Sequence, residues 1–110
     1  MQNQKRNEST VKDQRKDGGV WLKQLRVSAG LSQRQLAQKV GADYYTFISQ
    51  LENGRGRVPP DRYREWAEAL DIPAHTFVYN LMRFYDPGTF AILFGEDDTI
   101  GKKFETIAYL

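Results

Sequence analysis

Apolar side chains recur at helical spacing through most of the chain, and glycine or proline separates one pattern from the next. We expect Gly18 and Gly19 to open the first helix, and Gly30 to end it as a left-handed cap. The spacing places four apolar residues on its buried face: Trp21, Leu22, Leu25 and Ala29.

Residues 1–17 are polar apart from Met1 and Val11. So little apolar surface cannot offset the entropy that a segment loses when it becomes ordered. The segment carries five Lys or Arg residues against three acidic ones. We therefore predict a flexible basic arm.

The segment 31–57 predicts two short helices joined by a tight turn. Ser32 and Gln35 have the spacing of a capping box, in which each side chain bonds the other residue's backbone. The second helix should therefore begin here, and Gly41 should end it. Asp43 is the expected N-cap of the third helix.

The third predicted helix ends at Asn53 and has one apolar and one polar side. Its apolar side holds Phe47, Ile48 and Leu51. The opposite side holds five residues that form hydrogen bonds: Tyr45, Thr46, Ser49, Gln50 and Asn53. A merely solvated helix presents a mixture of Glu and Lys instead, so this composition indicates a surface that meets a partner.

Two more helices follow a loop that ends in Pro59 and Pro60. The fourth helix should bury Tyr63, Trp66, Ala67 and Leu70. The fifth should run from residue 73 to 85 and bury Ala74, Phe77, Val78, Leu81 and Tyr85. Five short helices without a repeat predict an all-α domain.

The fifth helix is also apolar at Tyr79, Met82 and Phe84, which is more than one face can hide in a small monomer. These residues either pack on the tail, residues 89–110, or form a twofold dimer interface. Within the tail, residues 89–94 fit a last helical turn. Residues 104–110 fit a short strand and an ordered terminal segment equally well.

Composition excludes several classes of function. The chain has no cysteine and one histidine, which leaves almost no material for a disulfide framework, a metal site or a nucleophile–base triad. The longest apolar run, Phe90 to Phe94, is far shorter than a membrane span. We expect a cytoplasmic protein that is not an enzyme and needs no cofactor.

Positive charge is concentrated in the first half of the chain. Residues 18–57 carry six Lys or Arg residues against two acidic ones, and residues 86–110 carry two against five. A surface that binds phosphate requires such an excess of positive charge.

Three motifs occur in order: L-S-Q-x-x-L-A-x-x-V-G from Leu31, I-S-Q-L-E-N-G from Ile48, and a proline-led helix that ends in A-x-A-L at Leu70. Together they resemble the lambda-repressor/Cro-type (XRE-like) helix-turn-helix. The resemblance covers about half of the chain, from Gly19 to Ile72. It implies a five-helix DNA-binding domain with a flexible N-terminal arm and a short C-terminal extension.

In such domains the third helix enters the major groove and the second lies across the DNA backbone. By position, the resemblance implies four base-reading residues: Tyr45, Thr46, Ser49 and Gln50. It implies six phosphate contacts: Gln33, Arg34, Tyr44, Asn53, Arg55 and Arg57. It also implies a partly buried, structural ion pair between Arg26 and Glu52.

One spacing departs from the family pattern. Seven steps separate Gly41 from Ile48, whereas six are usual. Either the turn gains a residue at Ala42 or the third helix starts one residue early, and the residues above are assigned from the Ile48 side. Tyr44 and Tyr45 are also bulkier than the small or amide residues usual at these positions.

We therefore expect three parts: the arm over residues 1–17, the DNA-binding domain over 18–72, and a helix and tail for dimerisation over 73–110. The first hypothesis is a transcriptional regulator that binds double-stranded DNA as a homodimer on a partly palindromic site, nucleoid-associated when bound. The arm is then either a solvated tail or a contact to the DNA backbone or minor groove. The alternative is a protein-interaction module, such as an antitoxin or anti-activator, that holds a partner protein. Neither hypothesis involves a membrane.

Overall fold

A computed structural model describes the backbone of residues 2–95 and the side chains of residues 13–95. In this part of the chain there are helices and no strands, so the predicted all-α class is confirmed. The elements in order are α1 (Gln2–Ser28), α2 (Gln33–Lys39), α3 (Tyr45–Glu52), a 3-10 turn (Pro60–Arg62), α4 (Tyr63–Ala69), α5 (Ala74–Tyr85) and α6 (Pro87–Phe94).

The described residues form six α-helices, whereas five were predicted for the domain. The sixth is α6, which begins at Pro87 and includes the helical turn expected over residues 89–94. The alternatives for residues 104–110 lie outside the described residues. None of the described helices combines the length and the apolar character that a membrane crossing requires.

The helix α1 does not begin at the two glycines, and that prediction is wrong. Its backbone is helical from Gln2, through the segment predicted as an arm, whose flexibility stays a prediction. A Cβ at Gly19 would lie 2.3 Å from the carbonyl oxygen of Glu52, and a Cβ at Gly18 would lie 2.9 Å from Cβ of Phe84. The glycines therefore allow α1 to pass very close to α3 and α5.

The end of α3 makes a further close approach to α1. Gly54 has a left-handed φ of +79°, and a Cβ there would lie 2.9 Å from Cα of Lys16. Glycine suits both constraints, because it tolerates the positive φ and leaves room for the neighbouring backbone. The backbone of α1 near Lys16 therefore packs against the turn that follows α3.

One core joins the first five helices. Its fully buried side chains come from α1, α2, α3, the loop after α3, and α5: Leu22, Leu36, Ile48, Leu51, Val58, Phe77 and Leu81. Trp21 of α1 stacks on Phe77, with the ring centroids 5.8 Å apart. The core thus continues beyond residue 72, since α5 contributes two of its best-buried side chains.

The predicted buried face of α4 is largely as observed, with Trp66, Ala67 and Leu70 buried and Tyr63 half-buried. The helix α5 buries Phe77, Leu81 and Tyr85 as predicted, and the rest of its buried set differs. Thr76 and Asn80 are buried, whereas Ala74 and Val78 are half-buried. The Asn80 side-chain amide donates to the Thr76 carbonyl over 2.9 Å, which satisfies a buried polar group within the helix.

The extra aromatic residues of α5 pack within the chain where the structure describes them. The ring of Tyr79 lies 4.9 Å from that of Phe90 and 5.1 Å from that of Phe94, both in α6. Phe84 packs against Trp21. Packing on the tail therefore accounts for Tyr79, whereas Phe84 packs on α1 instead, and Ile92 and Leu93 on α6 remain exposed.

Candidate nucleic-acid interface

The start of α2 is fixed by the predicted capping box, which is confirmed. The Gln35 backbone N–H donates to Ser32 Oγ over 3.0 Å, and the Ser32 N–H donates to Gln35 Oε1 over 2.8 Å. These bonds satisfy two donors that an uncapped helix leaves without partners.

The end of α2 is closed by backbone bonds around Gly41, whose φ is +69°. The Ala42 N–H donates to the carbonyl of Ala37 over 2.8 Å, as in a Schellman motif. Arg62, which follows much later in the chain, donates from Nη2 to the Val40 carbonyl at the same helix end. Sequence reasoning missed this contact because no local pattern links the two residues.

The turn places the start of α3 at Tyr45, so the predicted N-cap at Asp43 is wrong. Tyr44 occupies the N-cap position with an extended backbone, and its side chain does not cap the helix. Asp43 stands one residue too early for its carboxylate to take that role. The first turn of α3 therefore lacks the side-chain acceptor that α2 has.

The two predicted faces of α3 are separated in the structure. Ile48 and Leu51 are fully buried, and Phe47 is half-buried against the core. The predicted base-reading residues lie on the outer side: Tyr45, Thr46 and Gln50 are exposed, and Ser49 is half-buried. Since burial is confined to one side, the polar side remains accessible to a partner.

Arg26 and Glu52 lie in contact and join α1 to the end of α3. Arg26 Nε lies 2.6 Å from Glu52 Oε2, and Arg26 Nη2 donates to Glu52 Oε1 over 3.1 Å. Their side chains are 10% and 5% exposed. Arg26 Nη1 also donates to the carbonyl of Leu31 over 2.9 Å, so the same guanidinium holds the loop before α2.

Gln33, expected at a phosphate, also contacts this pair. Its Nε2 donates to Glu52 Oε1 over 3.1 Å, and its side chain is half-buried. The contact joins the start of α2 to the end of α3. A phosphate contact by Gln33 stays a prediction.

Arg34 and Tyr45, assigned to phosphate and base contact respectively, come together at the surface. The guanidinium carbon of Arg34 lies 4.9 Å from the centroid of the Tyr45 ring. Such a cation–π contact contributes roughly 0.5–1 kcal/mol at an exposed site. It holds a positive charge beside the first turn of α3.

Arg57, another predicted phosphate contact, is held by residues that follow it in the chain. Its guanidinium donates to both carboxylate oxygens of Asp86, over 3.2 Å and 3.0 Å, and to the Tyr63 hydroxyl over 2.9 Å. It also lies over the Tyr85 ring, 4.9 Å from the centroid. The hydrogen bond to Asp86 raises the pKa of Arg57 further above its usual value.

These contacts fasten the loop after α3 to the end of α5. Tyr85 takes part through its hydroxyl, which accepts a 3.4 Å hydrogen bond from the Val58 N–H. Burial raises the pKa of Tyr85 to about 12, and the bond from Val58 opposes this rise. Sequence reasoning missed the partners of Arg57, because Asp86 stands 29 residues further along the chain.

Seven predicted site residues remain, namely Arg34, Tyr44, Tyr45, Thr46, Gln50, Asn53 and Arg55, and two charged residues, Lys39 and Asp43, stand near them in the sequence. All of these residues are exposed. Three carry positive charge and one, Asp43, carries negative charge. Glu52 adds no free negative charge because it is buried against Arg26.

This geometry, a capped helix, a tight turn and a second helix with a polar outer face, defines a helix-turn-helix protein. The sequence model of the helix-turn-helix family matches residues 22–77, just over half of the 110 residues. The chain belongs to this family, whose lambda-repressor type binds DNA. No match was found among curated proteins.

Proposed function

We propose that this protein is a non-enzymatic transcriptional regulator that places α3 in the major groove of a specific DNA site. The observation that carries the proposal is the outer face of α3, where Tyr45, Thr46 and Gln50 are exposed while Ile48 and Leu51 fix the helix from behind. A rigid helix with hydrogen-bonding side chains on its free side suits base readout.

The side chains on this face match the chemistry of base edges. The Gln50 amide can form two hydrogen bonds with adenine, and the Thr46 methyl group can contact a thymine methyl. Ser49 can bond either a donor or an acceptor, and the Tyr45 ring offers a thymine contact. Each good pair discriminates by roughly 1–3 kcal/mol against a wrong base.

Phosphate contacts in this proposal come from the ends of α2 and α3. Arg34, Asn53 and Arg55 are exposed at these ends, and Tyr44 is 74% exposed beside them. Gln33 has one amide hydrogen engaged with Glu52, and its second amide hydrogen can donate to a phosphate. We leave Arg57 out of this set, because Asp86 and Tyr63 already hold its guanidinium.

A homodimer on a partly palindromic site completes the proposal, since two half-sites about 34–36 Å apart give such domains useful affinity. The support is the outer side of α6, where Ile92 is 87% exposed and Leu93 is 61% exposed on a helix without charged residues. Sedimentation should give a dimer on DNA. A monomer at tens of micromolar, with and without DNA, would refute the proposed homodimer.

The first test of readout is selection of bound sequences from a random duplex library. The wild-type protein should enrich one motif, and Gln50→Ala should relax the preference at one position of each half-site. That variant should lose roughly 1–3 kcal/mol of discrimination there and little elsewhere. Enrichment of no duplex at low salt would refute the regulator proposal.

A salt series tests the phosphate contacts. Arg55→Ala should weaken binding to all sequences alike and lower the slope of log affinity against log salt by about one. Arg64→Ala is the matched control. Arg64 is an exposed arginine of α4, and it lines a pocket together with His75 and Val78 of α5 rather than with residues of α2 or α3. The control should leave the slope unchanged.

A second function has one observation in its favour. Tyr44 and Tyr45, 74% and 43% exposed, place two aromatic rings at the start of α3, as a surface that binds a protein groove would. An antitoxin or anti-activator module would then copurify with one stoichiometric partner. Tyr44→Ala should release that partner; because Tyr44 is also a proposed phosphate contact, it should weaken binding to all duplexes alike without changing any enriched motif.

A further inference from the structure

Two exposed lysines of α1 follow the line along which this helix meets the end of α3. Lys16 and Lys23 are both exposed, and they stand seven residues, or about two helical turns, apart. Gly19 and Arg26, which both approach Glu52 at the end of α3, each follow one of these lysines by three residues. Residues three apart are neighbours on a helix surface. The two lysines therefore lie along one side of the α1–α3 contact, and we call them the α1 lysine row.

The row also lies beside the turn that follows α3. The backbone of Lys16 approaches Gly54 so closely that a Cβ at this glycine would lie 2.9 Å from both the nitrogen and the Cα of Lys16. Asn53 and Arg55, the two residues bonded to Gly54, are exposed and belong to the proposed phosphate contacts. Consecutive Cα atoms are about 3.8 Å apart, so the backbone of Lys16 is also near these two residues. Positive charge therefore continues from the turn onto α1.

Within residues 13–95, neither lysine of the row has a carboxylate at ion-pair distance. The Glu52 carboxylate, across the helix contact, is bound by Arg26. Asp17, which follows Lys16 in the chain, is exposed at a position about 100° further around the helix. A lysine ammonium is a compact charge with three donors, which suits a phosphate oxygen.

The same side of α1 carries further lysine positions towards the N-terminus. The backbone is helical from Gln2, and Lys12 and Lys5 stand four and eleven residues before Lys16. At about 100° per residue, these two positions and the row fall within a sector of about 40°. The acidic positions of this half of α1, residues 8, 13 and 17, fall outside the sector by about 40° or more. The positive positions of α1 are therefore concentrated on the side that borders the end of α3.

We propose that the α1 lysine row binds backbone phosphates of double-stranded DNA, next to Asn53 and Arg55, while α3 reads the bases. The proposal rests on the proposed function and adds a third helix to the DNA contacts of α2 and α3. Phosphate contacts fix the position of a protein on the duplex but carry no sequence information directly. The row therefore contributes to affinity and not to the choice of motif.

The main test exchanges two neighbouring charges of α1. The double variant Lys16→Asp, Asp17→Lys keeps the composition and net charge but moves the positive charge about 100° around the helix. The full chain is titrated with the selected duplex across a salt series, with fluorescence anisotropy as the readout. The double variant should bind at least about tenfold more weakly at about 0.1 M salt, and the slope of log affinity against log salt should fall by about one. An arm without fixed structure would tolerate the exchange, because its charges have no fixed direction.

Single substitutions measure each lysine separately. Lys16→Gln and Lys23→Gln should each weaken binding by about fivefold to tenfold at about 0.1 M salt and lower the salt slope by about one. Arg64→Gln is the matched control, because it removes the same charge at an exposed position of α4. It should leave the slope unchanged. Selection from a random library with Lys16→Gln should return the wild-type motif.

The fold of each variant is checked by circular dichroism and by its midpoint of urea unfolding, both of which should match the wild type. If the variants at Lys16 unfold, Lys23→Gln still tests the row, because Lys16 and not Lys23 approaches Gly54. A Lys23→Gln variant that is folded and keeps the wild-type salt slope would then overturn the proposal.

The proposal is overturned if the folded double variant binds the selected duplex as tightly as the wild type. It is also overturned if Arg64→Gln weakens binding as much as Lys16→Gln, since net charge alone would then explain the loss. A motif altered by Lys16→Gln would contradict the phosphate assignment.

Binding to a random-sequence duplex at low salt separates this proposal from the regulator function, because phosphate contacts need no motif. If the wild type enriches no motif but its binding to this duplex depends on the row, only the regulator function fails. If a motif is enriched and the row variants bind both duplexes as the wild type does, only the present proposal fails.

Discussion

Two arginine–carboxylate pairs hold the end of α3 and the loop after it, and they differ in their environment. At the α1–α3 contact, Arg26 and Glu52 are 10% and 5% exposed and 2.6 Å apart. At the loop–α5 contact, Arg57 and Asp86 are 31% and 41% exposed and 3.0 Å apart. The first pair fixes a helix, and the second fixes a loop.

The difference in burial predicts a difference in strength. Removal of one partner from a buried pair leaves an uncompensated charge in a poorly solvated site, whereas water and salt ions readily replace a partner in an exposed pair. The orientation of α3 should therefore be insensitive to conditions. The loop that carries Arg55 should respond to salt, because its anchor is half-exposed.

The largest expected effect is at Glu52. Glu52→Ala should lower the free energy of unfolding by about 3–5 kcal/mol, because it leaves Arg26 buried without its partner and removes the Gln33 contact. Urea unfolding measures the loss. Glu65→Ala is the matched control, since its pair with Arg62 is exposed and should be worth less than about 1 kcal/mol. Equal losses in the two variants would contradict the comparison.

The second effect tests the close approach of the α1 and α3 backbones at Gly19 and Glu52. Gly19→Ala should destabilise by about 3 kcal/mol, because the new Cβ meets the Glu52 carbonyl oxygen and α1 has to move from α3. Gly88→Ala is the control, because a Cβ there meets nothing within 4 Å. It should be neutral or stabilising by up to about 1 kcal/mol. A tolerated Gly19→Ala would show that the close approach is not needed.

The third effect uses pH to test the loop–α5 contact. The pKa of Tyr85 is raised to about 12, so the folded protein holds this proton at pH values where the unfolded chain releases it. Stability from this group is full well below pH 10 and is lost as the pH rises through about 10 to about 12, by about 2.7 kcal/mol in all. Tyr85→Phe should flatten this decline relative to wild type in urea unfolding, whereas Tyr45→Phe should not. Parallel profiles for wild type and Tyr85→Phe would refute the cause assigned here.

The smallest effect is at Asp86. Asp86→Asn should cost less than about 1 kcal/mol at low salt, since both side chains of the pair are partly exposed. The difference from wild type should shrink in about 1 M NaCl, where the Debye length is about 3 Å. If Asp86→Asn lowered the free energy of unfolding as much as Glu52→Ala does, and salt did not change the loss, the predicted difference between the two ion pairs would be wrong.

The sequence alone determined the features whose bonds close within one helical turn. Ser32 and Gln35 stand three residues apart, so their capping box needs no distant partner and was predictable. The buried side of α3 followed from the spacing of Ile48 and Leu51, because a helix that buries one face repeats its apolar residues at that period. The all-α class and the helix-turn-helix family follow from several such local patterns in order.

Only the tertiary structure decided which distant residues meet. Gly18 and Gly19 look like a helix start in the sequence, yet they lie within α1, because their function depends on how closely α3 and α5 approach. Arg57 resembles a phosphate contact by position, but packing brings Asp86 to it from 29 residues away. A long charged side chain has many reachable partners, and the packing of separate helices, which local periodicity does not encode, selects among them.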